Sequence, residues 1–245
     1  FSSTYQQSAL SLHLAEYERT DPGNFLLWRS NIRRLDFEAF RDSLLTMAAN
    51  LDTSLYGPPV NLVSEPYSRR RTLYGYIDRS NVPELLMQFD FANPNEPNSR
   101  RGATIVPQQS LFLMNSPFAI DVVRRIVERE EVKRAVARGR TEEAVHSVYQ
   151  VVFQRTPTPA ELQKAVKFIQ TETAQQKAVE QEQSKLLELS EKRAEELLKN
   201  QKSSAKVAAK AAVLNEGSLV KRSVLSPLET LVQALLFSNE AAYLN

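Results

Sequence analysis

The sequence predicts an all-α domain, and three observations carry that expectation. Only 6 of the 245 residues are glycine, where average usage would give roughly 17, so a fold of many hairpin turns or Gly-rich phosphate loops is disfavoured. Explicit helix-start signals stand at Asp36, Ser116-Pro117, Thr141, Thr158-Pro159-Ala160-Glu161 and Ser226-Pro227-Leu228-Glu229. Behind each of them apolar residues recur at helical spacing. At about 100–200 residues per domain, the length suits one large domain or two small ones, enough to bury a core without staples.

Taken in order, the chain opens on a loop signal, Asp21-Pro22-Gly23-Asn24, ahead of Phe25, Leu26, Leu27 and Trp28. A helix follows over Asp36–Ala49, with Asp36 as N-cap and Phe37, Phe40, Leu44 and Met47 or Ala48 as its apolar stripe. From Gly57 to Gly102 there are six prolines and little periodicity, apart from a short helix at Pro83–Phe89. Such a long irregular segment is uncommon in an ordered domain unless it is functional or tightly packed. Helix resumes near Pro107. After Ser116-Pro117 come Ala119, Val122, Val123, Ile126 and Val127, and after Thr141 come Val145, Val148, Tyr149 and Val152. Thr158 and Glu161 form a capping box before Leu162, Val166 and Ile169; Ser226 and Glu229 repeat it before Leu231, Val232, Leu235 and Leu236.

Residues 171–217 are expected to form a helical hairpin or coiled-coil insertion projecting from a body made of residues 1–170 and 218–245. The insertion is rich in Gln, Glu, Lys and Ala and has no Pro or Gly before Gly217, so its helix propensity is high. Its apolar seam is thin: Leu187, Ala194, Leu198, Ala205, Ala208 and Ala212 make an imperfect heptad. The stretch Asn200-Gln201-Lys202-Ser203-Ser204 is the expected break. A solvated hairpin and a partner-binding coiled coil both fit.

Composition excludes several classes. Without cysteine there is no disulfide, no thiolate zinc site and no thiol nucleophile. A formal charge of +2 argues for neither nucleic acid nor an anionic membrane as partner. No apolar run approaches the ~20 residues of a spanning helix, so membrane insertion is not expected. The chain starts at Phe1 and not Met, so it reads as part of something longer. One asymmetry stands out: residues 1–132 hold 14 Arg and no Lys, and all 11 Lys lie from Lys133 onward. Arginine's planar fork suits buried or interfacial pairing and lysine suits exposed faces, so a front part wired by arginine and a more solvated back part are expected.

Few residues can carry chemistry. The histidines His13 and His146 have no companion nucleophile or metal ligand, so no metal site is expected, and no zinc-protease, serine-hydrolase or nucleotide-binding motif is present. Glu38 and Asp42 stand four apart on one helix face, beside Arg33, Arg34 and Arg41. As an acid and base pair they fit polysaccharide hydrolysis; as members of an ion-pair network they are neutralised by arginines, Glu38 by Arg34 or Arg41 and Asp42 by one from the irregular segment. That segment interleaves Arg69-Arg70-Arg71, Tyr74, Tyr76, Arg79, Phe89, Asp90, Phe91 and Arg100-Arg101, a combination that grips anionic groups or flat ligands. It equally serves to tie an unstructured stretch to the helices.

These residues resemble a known family. Asp21-Pro22-x-Asn24 with Trp28-Arg29, then Arg33-Arg34-Leu35-x-x-Glu38-x-x-Arg41-Asp42, is similar to the opening of a planctomycete surface domain of unknown function. The likeness continues through Arg70-Arg71-Thr72-Leu73-Tyr74, Arg79, Phe89-Asp90, Arg101, and Thr104-x-x-Pro107-Gln108-Gln109-x-Leu111-x-Leu113-x-Asn115-Ser116. It ends at Arg155-x-Pro157-Thr158-x-x-Glu161 and at Ser238-Asn239-Glu240 with Tyr243. Tyr56-Gly57-Pro58-Pro59 departs from the family's Gly-Gly-Pro-like turn, and residues 171–214 look like a lineage-specific insertion. The resemblance implies an extracytoplasmic bacterial protein in which this domain follows a cytochrome-type domain. No haem attachment motif occurs here, so any haem belongs to that upstream domain and no cofactor is expected in this chain.

Two functional expectations follow. The first is a non-catalytic interaction or scaffold module of a periplasmic, cell-surface or secreted protein, partnered by other domains of its own polypeptide, a surface protein or a polysaccharide. Its contact residues would come from Arg33, Arg34, Arg41, Arg71, Tyr74, Arg79, Arg101, Gln108, Gln109 and Asn115. It also expects the motif arginines to be mostly buried against Glu38, Asp42, Asp78 or Asp90, and an open, solvent-filled pocket lined by them counts heavily against it. The second is a polysaccharide-acting enzyme with Glu38 and Asp42 as acid and base and Arg101, Gln108, Gln109 and Asn115 on substrate. That reading needs both carboxylates in one cleft, about 5–10 Å apart, and fails if each is clamped by arginine.

Overall fold

Helix α2 (Phe37–Met47) carries the front of the chain into a core otherwise built by the back. In the computed structural model, residues 2–4, 6–9, 13–99, 101–102, 104–198 and 224–244 are described. In order they form α1 (Leu14–Thr20), β1 (Arg33–Arg34), α2, a 3-10 turn (Thr72–Tyr74), α3 (Glu84–Gln88), α4 (Pro107–Asn115) and α5 (Pro117–Glu128). Then follow α6 (Glu130–Ala137), α7 (Thr141–Phe153), α8 (Pro159–Leu198), α9 (Pro227–Leu236), α10 (Asn239–Ala242) and β2 (Tyr243–Leu244). The fold is all-α, as the sequence predicts.

The apolar stripes converge. Phe40, Leu44 and Leu45 of α2 meet Phe118, Val122, Val123 and Ile126 of α5, Val132 of α6, Val148 and Val152 of α7, and Val232 and Leu236 of α9. Val123, Ile126, Val132, Val148 and Val232 are fully buried; each such side chain stabilises the fold by about 1.5–3 kcal/mol relative to exposure. A second cluster of Val145, Tyr149, Ala165 and Leu231 seats α8 on α7 and α9. Both capping boxes form: Glu161 accepts from Thr158 N at 2.7 Å and Glu229 from Ser226 N at 2.6 Å. Three starts differ from expectation. Ser116 occupies the N-cap of α5 without a side-chain capping bond. Asp36 occupies the N-cap of α2, yet its side chain makes no capping bond, and the cap of α7 is Arg140, with Thr141 the first helical residue.

Helix α8 runs unbroken for 40 residues, ~60 Å at 1.5 Å per residue. Gln176 on it donates to the Leu225 carbonyl at 2.9 Å, fixing the approach to α9. The expected break, the second arm and the seam positions Ala205, Ala208 and Ala212 lie outside the described residues, as do the side chains of Leu187, Ala194 and Leu198. Helix α1 has no buried residue and so lacks the stripe by which the sequence announces the others.

Residues 48–106 hold few helical or strand hydrogen bonds, and arginine side chains supply the missing donors. Arg41, 2% exposed, donates to the carbonyls of Ser68 and Arg70 and to Thr72 Oγ1, and its guanidinium lies 5.2 Å from the Phe118 ring. Arg70 donates to the carbonyls of Pro58 and Tyr56 and stacks on Tyr74 at 4.0 Å. Carboxylates and amides cap the loops from the other side, Asp21 on Phe25 N and Leu26 N and Asp90 on Thr104 N. The two-residue strands close the fold by pairing Arg33 with Leu244 and Arg34 with Tyr243 antiparallel, extended by Leu35 N–H to the Ala242 carbonyl at 2.9 Å.

Candidate functional site

Helix α2 presents two faces because its residues alternate in character at helical spacing. Phe37, Phe40 and Leu44 turn into the core, while Glu38 and Asp42, one turn apart, line an open groove of about 1110 Å³. Its other polar walls are Arg33 and Arg34 on β1, Arg71 beside the 3-10 turn, and Arg101. Leu62, Ile77, Leu86 and Phe91 give it an apolar lining. A second basin of about 700 Å³ adjoins it, sharing Asp42 and Arg71 and lined by Ser43, Thr46, Gln150 and Gln154. The Asp42–Arg71 pair is therefore the boundary between two concavities along α2.

Each carboxylate of the pair has its own clamp. Both Glu38 oxygens accept from Arg101 Nη1, at 2.9 and 2.8 Å, and Arg101 lies 5.0 Å from the Phe91 ring. Asp42 Oδ1 accepts from the Thr72 N–H at 2.8 Å and from its hydroxyl at 2.7 Å, and Oδ2 faces Arg71 Nε at 3.4 Å. The sequence expected an arginine of the irregular segment on Asp42, and Arg71 is that residue; it expected Arg34 or Arg41 on Glu38, and Arg101 stands there instead. Arg34 commits its Nη atoms to the Thr104 carbonyl and to Gln109 Oε1, at 2.5 Å for the latter. Arg33 is exposed, and its side chain has no hydrogen-bond or ion-pair partner among the described residues.

The groove thus gathers Arg33, Arg34, Glu38, Asp42, Arg71 and Arg101 from the expected residues and leaves the others elsewhere. Arg41 is buried under the loop carbonyls, and burial pulls its guanidinium below its ordinary pKa, opposed by Asp42. The motif arginines are therefore not mostly buried, as the scaffold expectation had it, because the chain satisfies Arg41 with carbonyls and leaves Arg33, Arg71 and Arg101 at a groove wall. Asp78 and Asp90 cap loop N–H groups at Ser80 and Thr104. Tyr74 accepts from Tyr56 N at 3.0 Å, and Arg79 donates to the Pro94 carbonyl at 3.0 Å. Gln109 is 4% exposed and donates to the carbonyls of Gln88 and Thr104. Gln108 and Asn115 are exposed on α4, away from the groove. Sequence reasoning assigns no role to Thr72, although it follows Arg70-Arg71 directly and its N–H and hydroxyl both hold Asp42.

Other motif residues build locks. Asn24, with φ +53, donates to the Arg29 carbonyl and Asn31 Oδ1, and Trp28 Nε1 donates to the Asp21 carbonyl at 3.0 Å. Arg155 bridges Glu161 of α8 and Glu240 of α10 with four hydrogen bonds of 2.6–2.9 Å, packed against the rings of Tyr149 and Phe153. Bonding to Arg155, aided by the Thr158 N–H and hydroxyl and opposed by burial, holds the Glu161 carboxyl down at about 2. Glu240 and Glu161 push Arg155 above its ordinary range. Among the described residues no three His, Asp or Glu side chains gather as metal ligands, and no helix is long and apolar enough to cross a membrane.

A family model described as "PSD1: Protein of unknown function (DUF1553)" matches residues 1–169, a span that includes every groove residue and stops within α8. No curated protein and no solved structure matches the chain.

Proposed function

Given that the chain belongs to the PSD1 family of proteins of unknown function (DUF1553), we propose that it is a non-catalytic interaction module of an extracytoplasmic bacterial cell-surface protein. Its contact site on this reading is the groove along α2. The resemblance to a planctomycete surface domain supports the setting, with the domain following a cytochrome-type domain that carries any haem. Its partners are other domains of the same polypeptide, a surface protein or a polysaccharide.

One observation carries the non-catalytic part. Glu38 and Asp42 share an open groove, the arrangement an acid and base pair would need, but both oxygens of Glu38 are held by Arg101 and both of Asp42 by Thr72 and Arg71. A general acid or base must reach the reacting atoms of the substrate. Ion-paired carboxylates with every oxygen bonded are poorly placed for either. The open groove lined by arginines counts against a purely structural scaffold; with its carboxylates clamped, what remains is a charged concavity with an apolar lining, suited to holding a polar chain.

The test is to incubate the chain with cell-surface polysaccharides, measure retention by affinity electrophoresis, and assay the retained material for new reducing ends. Retention without cleavage is expected. New reducing ends that vanish in Glu38→Gln would falsify the reading in favour of a polysaccharide-acting enzyme.

A further inference from the structure

The groove's hydrogen-bond balance indicates what it holds, if it is the contact site proposed above. A guanidinium has five N–H donors and no acceptor; a carboxylate has two acceptor oxygens and no donor. Arg101 reaches both Glu38 oxygens through Nη1 alone, which leaves its Nε and Nη2 uncommitted among the described residues. Arg71 uses only Nε, at 3.4 Å from Asp42, which leaves both Nη groups. Arg33 has all its guanidinium donors uncommitted among the described residues. Against these stands one carboxylate without a partner among the described residues, Asp36 at the head of α2. The remaining acids, Glu38 and Asp42, already accept at both oxygens. Unused donors outnumber unused acceptors, and four arginines face three carboxylates.

We infer that the groove binds a ligand bearing oxyanions, carboxylate, sulfate or phosphate, with Arg33 as its first contact and Arg71 as its second. The planar fork of arginine takes such groups bidentately. Arg33 needs no partner broken before it can bind. Arg71 is half exposed, and its contact with Asp42 is at the long limit of a hydrogen bond, so redirecting it costs little. Asp42 keeps two bonds from Thr72 when Arg71 turns. Because Arg71 also stands between the two basins, a linear ligand carrying repeated oxyanions crosses it and occupies both.

The experiment is isothermal titration of the chain with polygalacturonate, dextran sulfate, inorganic polyphosphate and neutral dextran, at low and moderate salt. At least one polyanion is expected to bind with affinity that falls as salt rises, and the one that does identifies the oxyanion. Arg33→Gln and Arg71→Gln should each weaken it by about tenfold or more. Arg138→Gln, an exposed arginine at the end of α6, should not, and circular dichroism should be unchanged for Arg33→Gln. The inference fails if no polyanion binds, or if Arg138→Gln weakens binding as much as Arg33→Gln. Neutral dextran bound in the groove and lost in Arg71→Gln would sink the oxyanion assignment but leave the interaction module standing. A polyanion bound through Arg33 and then cleaved would keep the oxyanion assignment and overturn the module.

Discussion

Between residues 48 and 106 the described chain contains one 3-10 turn and one five-residue helix, whereas from residue 107 to 198 five helices follow with short breaks. Both stretches must satisfy their main-chain polar groups. The back does so with helical ladders and capping boxes, each closed within a few residues. The front does so at a distance: Arg34, Arg41, Arg70 and Arg79 donate to main-chain carbonyls 12 to 70 residues away. Lysine, a hydrated point charge, is a poor substitute for a planar fork that bonds two carbonyls at once, as Arg41 and Arg70 do. Four of the front's arginines are thus tied to its main chain; of these only Arg34 also lines the groove, beside Arg33, Arg71 and Arg101, whose side chains have no carbonyl partner among the described residues.

The difference can be tested by removing one wire on each side. Arg41→Met leaves the Ser68 and Arg70 carbonyls and the Thr72 hydroxyl short of a buried donor, and should destabilise the chain by on the order of 3 kcal/mol, the largest effect expected. Chemical denaturation would read it, and hydrogen exchange should rise across residues 50–106 and little in α5 and α7. A loss below about 1 kcal/mol, or exchange rising evenly, would break the distinction between the halves. Next comes Arg155→Ala, which strands Glu161 and Glu240; it should cost about 1–2 kcal/mol, discounted because these groups are about a third exposed. A double-mutant cycle with Glu240→Gln should show coupling, and strict additivity would remove the lock.

The same lock sets a pH dependence. Glu161 has a folded pKa of about 2 against an ordinary value of 4.5, so the unfolded chain binds its proton first as pH falls. Its contribution is whole above about pH 4.5 and fades between there and pH 2. Arg155→Ala should flatten that part of the acid-unfolding curve, and an unchanged curve would contradict the assignment. Smaller still is Ser226→Ala, about 1 kcal/mol lost with one cap bond to Glu229 N. Smallest is Gln154→Gly: Gln154 ends α7 with φ +56, where glycine is unstrained, so a gain of about 0.5–1 kcal/mol in thermal or chemical melts is expected.

What could be read from the sequence follows the same division. Helix starts are written over four residues, so Thr158–Glu161 and Ser226–Glu229 were visible as capping boxes, and α5 and α7 followed from their stripes. Helix α1 was invisible because it buries nothing. At the site, the four-residue spacing of Glu38 and Asp42 sufficed to place both in one groove, but not to name their partners. Arg101 is 63 residues from Glu38, and no local pattern encodes that meeting. Nor does local sequence separate Arg41, the most buried arginine of its motif, from Arg33, the freest: the same residue type serves either role, and only the packing of residues 68–72 over α2 decides.

The short ladder between Arg33-Arg34 and Tyr243-Leu244 has a consequence for the order in which the protein is made. The wall that carries Arg33 is aligned by residues about two hundred positions later, a contact of the slow, non-local kind. Helices α5 to α7 can form and pack while synthesis is still under way, since domains fold as their chain emerges. The groove cannot be completed until Leu244 has been added. The Arg33 wall is therefore aligned only after the chain has been extended through Leu244, and a chain cut short inside α9 would lose that alignment together with Leu236 from the core.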